Sequence, residues 1–237
     1  MEKVQAQATI LAGGQGTRMR SFTHEPKALL PVHGRPLLAH QLEWLQKAGF
    51  EEVFLCLGYR ADRVREVFKD GSEYGVSLIY QVEESPRGTA GAVRDLGSAI
   101  TGDLLVLYGD LIVDFDARSL MRRHAETGAA ATLVVRPTDH PEDSDLADVD
   151  DDGKISWIGR LNNAPESAGE RLGCCAVWVV RPALTEYAPL HAPSDFARDV
   201  FPKALASGER LEAHRIESGA RDIGTPERYA RYCEESA

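Results

Sequence analysis

The chain has 237 residues, 43% of them hydrophobic, which suffices for the core of one large α/β domain or two small ones. Its formal net charge of −10 argues against a nucleic-acid or anionic-membrane partner, because phosphate backbones favour Lys and Arg clustered over a whole face. Any phosphate binding is therefore expected to be local.

The cysteines and the N-terminus favour a cytoplasmic protein. Cys56, Cys174, Cys175 and Cys233 form no CxxC pair and have no His at metal-ligand spacing, which favours reduced thiols. The first eight residues, MEKVQAQA, contain no apolar segment typical of a signal peptide, and no apolar run is long enough to span a bilayer. We expect neither a leader nor a membrane partner.

The first half of the chain alternates strand-like and helical segments. The predicted strands are ATILAG, EEVFLCLGY, VSLIYQ and DLLVLYGD. The predicted helices are PLLAHQLEWLQKAG, which starts at Pro36 and stops at Gly49, then ADRVREVFKDG and GTAGAVRDLGSAI. This alternation implies βαβ units in a mostly parallel sheet, whose ligand site lies at the carboxyl ends of the strands.

The pattern becomes richer in strands from about residue 128. The segments GAAATLVVR, KISWIG and LGCCAVWVV are strand-like, separated by the polar loops PTDHPEDSDL, DVDDDG and NNAPESAGE. We interpret DVDDDGK as a hairpin turn, since its spacing does not fit an EF-hand. A closing helix, SDFARDVFPKALASG, has Asp195 or Ser194 as its N-cap.

Three glycines follow the first strand in the segment ILAGGQGTRMR: Gly13, Gly14 and Gly16. Without side chains they expose consecutive backbone N–H groups at the edge of the sheet, which makes an anion cradle. A tight turn that needs positive φ is the simpler alternative. Arg18 and Lys27 favour the cradle, because a guanidinium and an ammonium beside bare amides suit a polyphosphate better than a lone carboxylate.

Two standard phosphate-binding motifs are excluded. A Rossmann G-x-G-x-x-G counted from Gly14 and Gly16 needs glycine or alanine where the chain has Met19, which disfavours a dehydrogenase. A Walker A loop needs G-K-[ST] after four spacers, and this chain has no such sequence.

LAGGQGTRMR followed by PKALLPVHGRPLL resembles the signature G-G-x-G-T-R-[LM]…P-K-P-L-x-P-V of the sugar-1-phosphate nucleotidyltransferases, also called NDP-sugar pyrophosphorylases. The resemblance extends from Ile10 to Tyr229, and Ala28 stands where the family commonly has proline. It implies the Rossmann-like, GT-A-like nucleotidyltransferase fold: an α/β structure with a mixed, mostly parallel sheet flanked by helices.

The resemblance also implies the domain organisation. We expect a single domain over residues 1–237, with a nucleotide-binding half over 1–127 and a sugar-phosphate-binding half over 128–237. No C-terminal β-helix domain is expected, since only a few residues follow Tyr229.

Two aspartates lie far apart in the sequence. Asp110 ends the strand LLVLYGD, and Asp222 lies in RDIGTPERY, before a helix starting near Pro226. In the family the corresponding aspartates hold Mg²⁺ against the α-phosphate of the nucleotide, and Mg²⁺ usually takes one or two carboxylates. The alternative for Asp110 is a structural role at the end of a strand.

The resemblance assigns the nucleotide to a set of residues around these motifs: Leu11, Ala12, Gly13, Gly14, Gly16, Thr17, Arg18, Lys27, Glu83, Gly88, Thr89 and Asp110. YQVEESPRGTAGAVR resembles the family's E-x-P-L-G-T-A-G segment, which lines the base pocket. Glu83 can accept from N1–H and N2–H₂ of guanine, which favours GTP. Uridylyl-transferring relatives carry acid there too, and a solvated turn is the alternative for Glu83.

The sugar side departs from the family pattern. The residues expected to bind the sugar phosphate are Gly109, Arg160, Gly173 and Asp222. The family's E-K-P is replaced by GRLNN, so Arg160 takes the place of the lysine as the cation. In the strand AVWVV, Ala176 and Trp178 stand in the places of glycine and tyrosine.

The resemblance implies an enzyme of nucleotide-sugar biosynthesis that joins a nucleoside triphosphate to a sugar 1-phosphate and releases pyrophosphate. The sugar phosphate attacks the α-phosphorus in line without a protein nucleophile, so catalysis is positioning and charge neutralisation by Arg18, Lys27, Asp110 and Asp222.

Similarity to mannose-1-phosphate and D-glycero-D-manno-heptose-1-phosphate guanylyltransferases favours GTP with a manno-configured sugar phosphate. Thymidylyl or uridylyl transfer to a glucose-type sugar phosphate is the alternative. A non-catalytic sugar-nucleotide-sensing homologue is a rival that the retained cations and aspartates disfavour. A homo-oligomer is left open.

Overall fold

The structure is a computed structural model that describes residues 7–20, 22–167 and 169–235. The first six residues, on which the expected absence of a leader partly rests, lie outside this part of the chain, as does one residue of the loop NNAPESAGE. Among the described residues, no helix combines the length and apolar character needed to cross a bilayer.

The strands are β1 (Gln7–Ala12), β2 (Pro31–Val32), β3 (Arg35–Pro36), β4 (Glu52–Leu57), β5 (Ser77–Val82), β6 (Leu104–Tyr108), β7 (Leu111–Val113), β8 (Ala131–Arg136), β9 (Leu146–Val149), β10 (Ile155–Gly159), β11 (Glu170–Val180), β12 (Leu211–Arg215) and β13 (Ala220–Asp222). The helices are α1 (Leu37–Ala48), α2 (Ala61–Phe68), α3 (Gly88–Arg94), α4 (Ala117–Thr127), α5 (Phe201–Ala206) and α6 (Pro226–Glu235).

The chain divides into two compact units, each made of discontinuous segments. Unit 1 holds the described residues of Met1–Pro86, Leu107–Phe115 and Gly219–Ala237. Unit 2 holds Arg87–Val106 and Asp116–Ser218. The predicted single domain, with halves meeting at residues 127 and 128, stays a prediction.

Parallel strands form the sheet of unit 1. β1 pairs in parallel with β4, and β4 pairs in parallel with β5. Ala12 lies opposite Leu57, and Leu57 lies opposite Val82, so the three strands end at the same edge. α1 packs its leucines into the core, begins after Pro36 and ends at Gly49, whose φ of 99° suits a glycine C-cap. The predicted strands and helix of this unit are confirmed.

Unit 2 is built on a mostly antiparallel sheet. β12 pairs in parallel with β8. The other pairs are antiparallel: β8 with β11, β11 with β9, and β9 with β10. Together with the parallel pairs of unit 1, this confirms the predicted α/β class with a mixed sheet flanked by helices. DVDDDGK forms the predicted hairpin turn, in which Gly153 N donates to Asp150 O at 3.0 Å.

The prediction of polar loops around DSDL and DVDDDG was wrong at β9, whose four residues are all buried. The strand contains Asp148, a residue type that is disfavoured in strands and rarely buried alone. Arg171 on β11 donates to both carboxylate oxygens of Asp148, at 2.6 and 2.9 Å. The neighbouring strand therefore neutralises the charge that made this segment look exposed.

The closing helix begins with a wide turn that the sequence did not predict. Phe196–Val200 is π-helical and leads into α5, with Pro202, which has no N–H, in the first turn of α5. The predicted N-cap is confirmed as Asp195, whose Oδ1 accepts from Ala197 N and Arg198 N at 3.0 and 3.2 Å.

Two aspartate caps in unit 2 provide a stability test. Asp116 Oδ1 accepts from Arg118 N at 3.0 Å, whereas Asp195 accepts from two backbone N–H groups and from the Thr89 hydroxyl at 2.9 Å. We expect Asp116→Ala to lower the free energy of unfolding by about 1 kcal/mol and Asp195→Ala by about 2 kcal/mol, measured by urea denaturation. Equal losses would show that the additional hydrogen bonds of Asp195 add nothing.

Candidate functional site

The loops that follow β1, β4 and β5 meet at one edge of unit 1, as the parallel pairing requires. A methyl carbon placed at Gly58 would lie 2.6 Å from Gly13 O, and one placed at Gly13 would lie 3.3 Å from Glu83 Oε2. Glu83 N donates to Leu57 O at 2.8 Å. Gly58 and Gly13 therefore allow a close approach that brings the Glu83 carboxylate beside the glycine loop. Gly58 was missed, although a glycine directly after a strand is a recognisable signal.

The glycine loop is both a turn and an open backbone surface. Gly16 has a φ of 59°, and Met19 N donates to Gly16 O at 2.8 Å, so the tight turn exists. A methyl carbon at Gly14 would meet no described atom within 4 Å. Thr17 and Arg18 are exposed beside this backbone. The two interpretations of the glycines are therefore compatible.

The ends of β1 and β6 lie against each other beneath this loop. Gly109 N donates to Leu11 O at 2.9 Å. A methyl carbon at Gly109 would lie 2.9 Å from the Cβ of Ala12, so only glycine permits the contact. Leu11 and Ala12 thus lie directly before the loop, half-buried, and Gly109 places Asp110 next to it.

One apolar cluster anchors the charged segments. Met19, Leu30 and Ile223 are each 1% exposed and belong to a single buried group. They come directly after Arg18, shortly after Lys27 and directly after Asp222 in the chain. The remaining buried members of the cluster are Val32, Leu37 and Tyr229. Burial of these side chains holds the backbone of each charged residue in a defined place.

The two aspartates meet at Gly224. β7 and β13 pair antiparallel, with Leu111 opposite Asp222, so Asp110 and Asp222 are brought to the same end of this ladder. A methyl carbon at Gly224 would lie 2.5 Å from Asp110 Oδ2 and 2.9 Å from Asp222 Oδ1. These two oxygens are therefore no farther apart than the sum of those two distances.

Cations accompany both carboxylates. Lys27 Nζ lies 3.0 Å from Asp110 Oδ2, and a methyl carbon at Gly224 would lie 2.9 Å from the same nitrogen. Arg228 donates to Asp222 Oδ2, and Gly224 N donates to Asp222 Oδ1 at 2.6 Å. Arg228 was missed; its position in the first turn of the helix after Asp222 was the available signal. Each carboxylate thus has one positive partner.

The donor set of this site fits Mg²⁺. The described residues contain no group of three or more His, Cys, Asp or Glu side chains able to hold a metal. Two converging carboxylates are nevertheless the protein contribution that Mg²⁺ usually takes, since phosphate oxygens and water fill its other positions. Asp110 and Asp222 supply hard oxygen ligands that converge at Gly224.

Gly88 and Thr89 are engaged within unit 2. Gly88 has a φ of 70°, and a methyl carbon there would collide with the backbone of Ser194. The Thr89 hydroxyl donates to Asp195 Oδ2 at 2.9 Å and accepts from Phe196 N at 3.0 Å. These contacts attach the start of α3 to the closing helix. A role of the two residues in nucleotide binding stays a prediction.

Arg160 lies in unit 2 beside a carboxylate that the sequence did not identify. Arg160 Nε is 2.8 Å from Asp145 Oδ1, and Arg198 Nε is 4.0 Å from the same oxygen. Burial raises the pKa of the Asp145 carboxyl, Arg160 and Arg198 oppose this, and Asp195 adds to it. Asp145 lies in a polar segment, where nothing in the sequence distinguishes it from its neighbours.

The strand predicted to contact the sugar phosphate carries an irregularity. Gly173 packs against Thr138, and Cys174 N donates to Asp145 O at 2.8 Å, which fixes the Asp145 backbone. The register of β11 against β8 shifts between Cys174 and Trp178, and Ala176 has a φ of 55°. A non-glycine residue pays roughly 1–2 kcal/mol for this conformation. The backbone therefore keeps a shape suited to the glycine that stands there in the family.

The chain is similar to known proteins. A family model described as nucleotidyl transferase matches residues 7–236. The mannose-1-phosphate guanylyltransferase catalytic subunit beta of Drosophila pseudoobscura pseudoobscura is 32% identical over 224 residues, covering 92% of this chain and 59% of that protein. The UTP–glucose-1-phosphate uridylyltransferase of Synechocystis is 28% identical over 232 residues, covering 92% of this chain and 60% of that protein.

A solved structure shows the same fold. The crystal structure of HddC from Yersinia pseudotuberculosis complexed with GMP-PN has a TM-score of 0.78 at 24% identity, covering 98% of this chain and 99% of that chain. This likeness confirms the predicted nucleotidyltransferase-type fold. The chain spans only about 60% of the length of the two curated relatives.

The half-buried Asp145 carboxyl predicts a pH-dependent effect on stability. Because its pKa is raised in the folded protein, its favourable contribution is present when it is protonated and is lost as the pH rises through the folded pKa. Asp145→Asn stays neutral, so the Tm of the variant minus that of the wild type should increase as the pH rises above about 4, the ordinary pKa of an aspartate. Asp143→Asn, an exposed neighbour, should show no such trend. A pH-independent difference for Asp145→Asn would contradict this interpretation.

Proposed function

The chain belongs to the nucleotidyl transferase family, and on this premise we propose that it transfers a nucleotidyl group from a nucleoside triphosphate to a sugar 1-phosphate, releasing pyrophosphate. The observation that carries the proposal is the convergence of Lys27, Asp110 and Asp222 around Gly224, in the unit that also holds the glycine loop. The curated relatives named for guanylyl and uridylyl transfer support the reaction class.

The glycine loop and two cations would hold the triphosphate. The backbone N–H groups near Gly13, Gly14 and Gly16 are suited to phosphate oxygens, and the exposed Arg18 guanidinium lies next to them in the chain. Lys27 is 17% exposed and anchored beside Leu30, so its ammonium is held at a defined point. Their role is to neutralise charge that builds up towards the leaving pyrophosphate.

Asp110 and Asp222 would hold a magnesium ion, which when bound neutralises charge at the α-phosphate. The attacking group is an oxygen of the sugar phosphate, so no side chain acts as a nucleophile. The residues of the chain orient the two phosphates in line and exclude alternative directions of attack. Arg160, with its guanidinium oriented by Asp145, is proposed to bind the sugar phosphate in place of the family's lysine.

Charge neutralisation by Arg18 and Lys27 can be tested with a matched control. Arg18→Ala and Lys27→Ala should each lower turnover in a pyrophosphate-release assay by about 10²-fold or more, as expected for loss of one preorganised charge-stabilising group. Arg20→Ala removes an exposed arginine two residues away, whose side chain contacts Gln15 at 3.4 Å, and should retain turnover within about threefold. Unchanged turnover in both Arg18→Ala and Lys27→Ala would contradict the proposal.

Guanine is the proposed base. Glu83 lies beside Gly13, where a carboxylate can accept both N1–H and N2–H₂ of guanine. A guanylyltransferase relative and a fold neighbour complexed with GMP-PN support this choice, and the Synechocystis relative supports uridylyl transfer as the alternative. A manno-configured hexose or heptose 1-phosphate is the proposed acceptor, supported by the mannose-1-phosphate guanylyltransferase relative.

A substrate screen, together with two variants that each remove one carboxylate charge, tests which nucleotide base is bound. GTP with mannose 1-phosphate or D-glycero-D-manno-heptose 1-phosphate should release pyrophosphate fastest among four triphosphates and a panel of sugar phosphates. Glu83→Gln should raise KM for GTP by about 10- to 100-fold, the equivalent of one charged hydrogen bond. Glu84→Gln, an exposed neighbour, should not.

Three outcomes of the screen are decisive. A preference for UTP or dTTP would overturn the choice of guanine while keeping the reaction. If none of the four triphosphates yields pyrophosphate, the proposed enzymatic activity is wrong, and a non-catalytic sensing homologue is favoured. An unchanged KM for GTP in Glu83→Gln would remove Glu83 from base recognition.

A cytoplasmic site of action is part of the proposal. The four cysteines lie among the described residues and form no disulfide bond, which is typical of a reducing compartment.

A further inference from the structure

Gln41 is a fully buried polar residue on α1 that no part of the proposed chemistry uses. Its side-chain nitrogen donates to Tyr108 O at 2.9 Å and to Leu111 O at 2.8 Å. These carbonyls flank the two-residue turn that contains Gly109 and Asp110. One side chain therefore connects α1 to both ends of the turn that carries a site aspartate.

The backbone groups between these two carbonyls are also held. Gly109 N donates to Leu11 O at 2.9 Å, and Asp110 O accepts from Ile223 N at 3.0 Å. The turn is thus bonded on three sides, to β1, to the segment carrying Asp222 and to Gln41. Because the direction of a side chain follows the backbone that carries it, these bonds together set the direction of the Asp110 carboxylate.

The choice of glutamine costs stability. Among the described residues, Gln41 Oε1 accepts no hydrogen bond although it is buried, and such an unpaired group costs about 1–3 kcal/mol. Burying a glutamine also costs up to about 2 kcal/mol in rotamer entropy. A leucine would suit the neighbouring Leu37, Leu38, Leu42 and Leu45 of this helix face better. The glutamine amide supplies two N–H donors on one nitrogen without burying a charge.

We propose that Gln41 is a positioning residue, which orients Asp110 towards Lys27 and Gly224 by holding both ends of its turn. The consequence for turnover rests on the proposed function. The orientation of Asp110 does not, because the Lys27–Asp110 ion pair at 3.0 Å reports it in the protein alone.

The experiment compares Gln41→Leu with Trp44→Phe. Trp44 lies about one turn after Gln41 on α1, and its Nε1 donates to Phe115 O at 2.8 Å. Trp44→Phe therefore removes a hydrogen bond between α1 and the segment after β7, which lies beyond the Asp110 turn. The readout is the rate of reductive methylation of Lys27, followed by mass spectrometry, because Lys27 is protected by burial and by its pairing with Asp110. The Tm of each variant is measured in parallel by thermal unfolding.

Gln41→Leu should raise the methylation rate of Lys27 at least threefold, as should Asp110→Asn, which weakens the partner directly. Trp44→Phe should lower Tm while leaving the rate within about 1.5-fold of the wild type. If Gln41→Leu does not fold, Gln41→Met replaces it, and the same increase in the methylation rate is expected. An unchanged rate in the folded Gln41 variant, or an equal increase in Trp44→Phe, would show a merely structural residue and overturn the proposal.

A kinetic measurement separates this inference from the proposed function. In the pyrophosphate-release assay, Gln41→Leu should raise the Mg²⁺ concentration for half-maximal rate about tenfold, with a smaller change in Trp44→Phe. If the wild type releases no pyrophosphate, the proposed function fails, and the labelling of Lys27 still decides the role of Gln41. If the wild type is active and the Mg²⁺ dependence of Gln41→Leu is unchanged, the positioning role is wrong.

Discussion

Like-charge repulsion is the constraint on which this site depends. Two carboxylates about 5 Å apart repel by about 3 kcal/mol at an effective dielectric constant of 20. Asp110 and Asp222 converge on Gly224, and their side chains are 22% and 39% exposed, so water screens the repulsion only in part. Lys27 and Arg228 offset it by giving each carboxylate its own cation. The chain therefore places two basic side chains beside the two acidic ones, so that the four charges at this turn balance.

Hydrophobic burial is what brings these charges together. The charged residues come from three parts of the chain, and the neighbours of three of them, Met19, Leu30 and Ile223, are buried in one cluster. Exposed ion pairs contribute little to stability, whereas the burial of three large apolar side chains contributes several kcal/mol. The apolar neighbours thus provide most of the free energy that stabilises this arrangement, and the charged residues provide its electrostatic properties.

The sequence predicted what local signals encode. Glycines after a strand, periodic leucines in α1 and strand-ending aspartates depend on neighbours a few residues away, and the glycine loop and the αL C-cap at Gly49 follow from them. Residues whose environment is set by partners distant in the sequence were not predicted. β9 was missed because Arg171 on another strand neutralises Asp148, and Asp145 was missed because Arg160 and its burial distinguish it only in the fold. Gln41 escaped for the same reason.

The pairing of Lys27 with Asp110 is suited to exchange of partners. The Lys27 and Asp110 side chains are only 17% and 22% exposed, so separating the pair requires another acceptor for the ammonium group. A polyphosphate offers an ammonium group several charged acceptors, and hydrogen bonds to such groups are about twice as strong as neutral ones. The buried Leu30 anchors the segment that carries Lys27 independently of the ion pair. Under the proposed function, the ammonium would exchange the Asp110 carboxylate for a phosphate while this anchor stays in place, which is the property that catalysis by positioned charge requires.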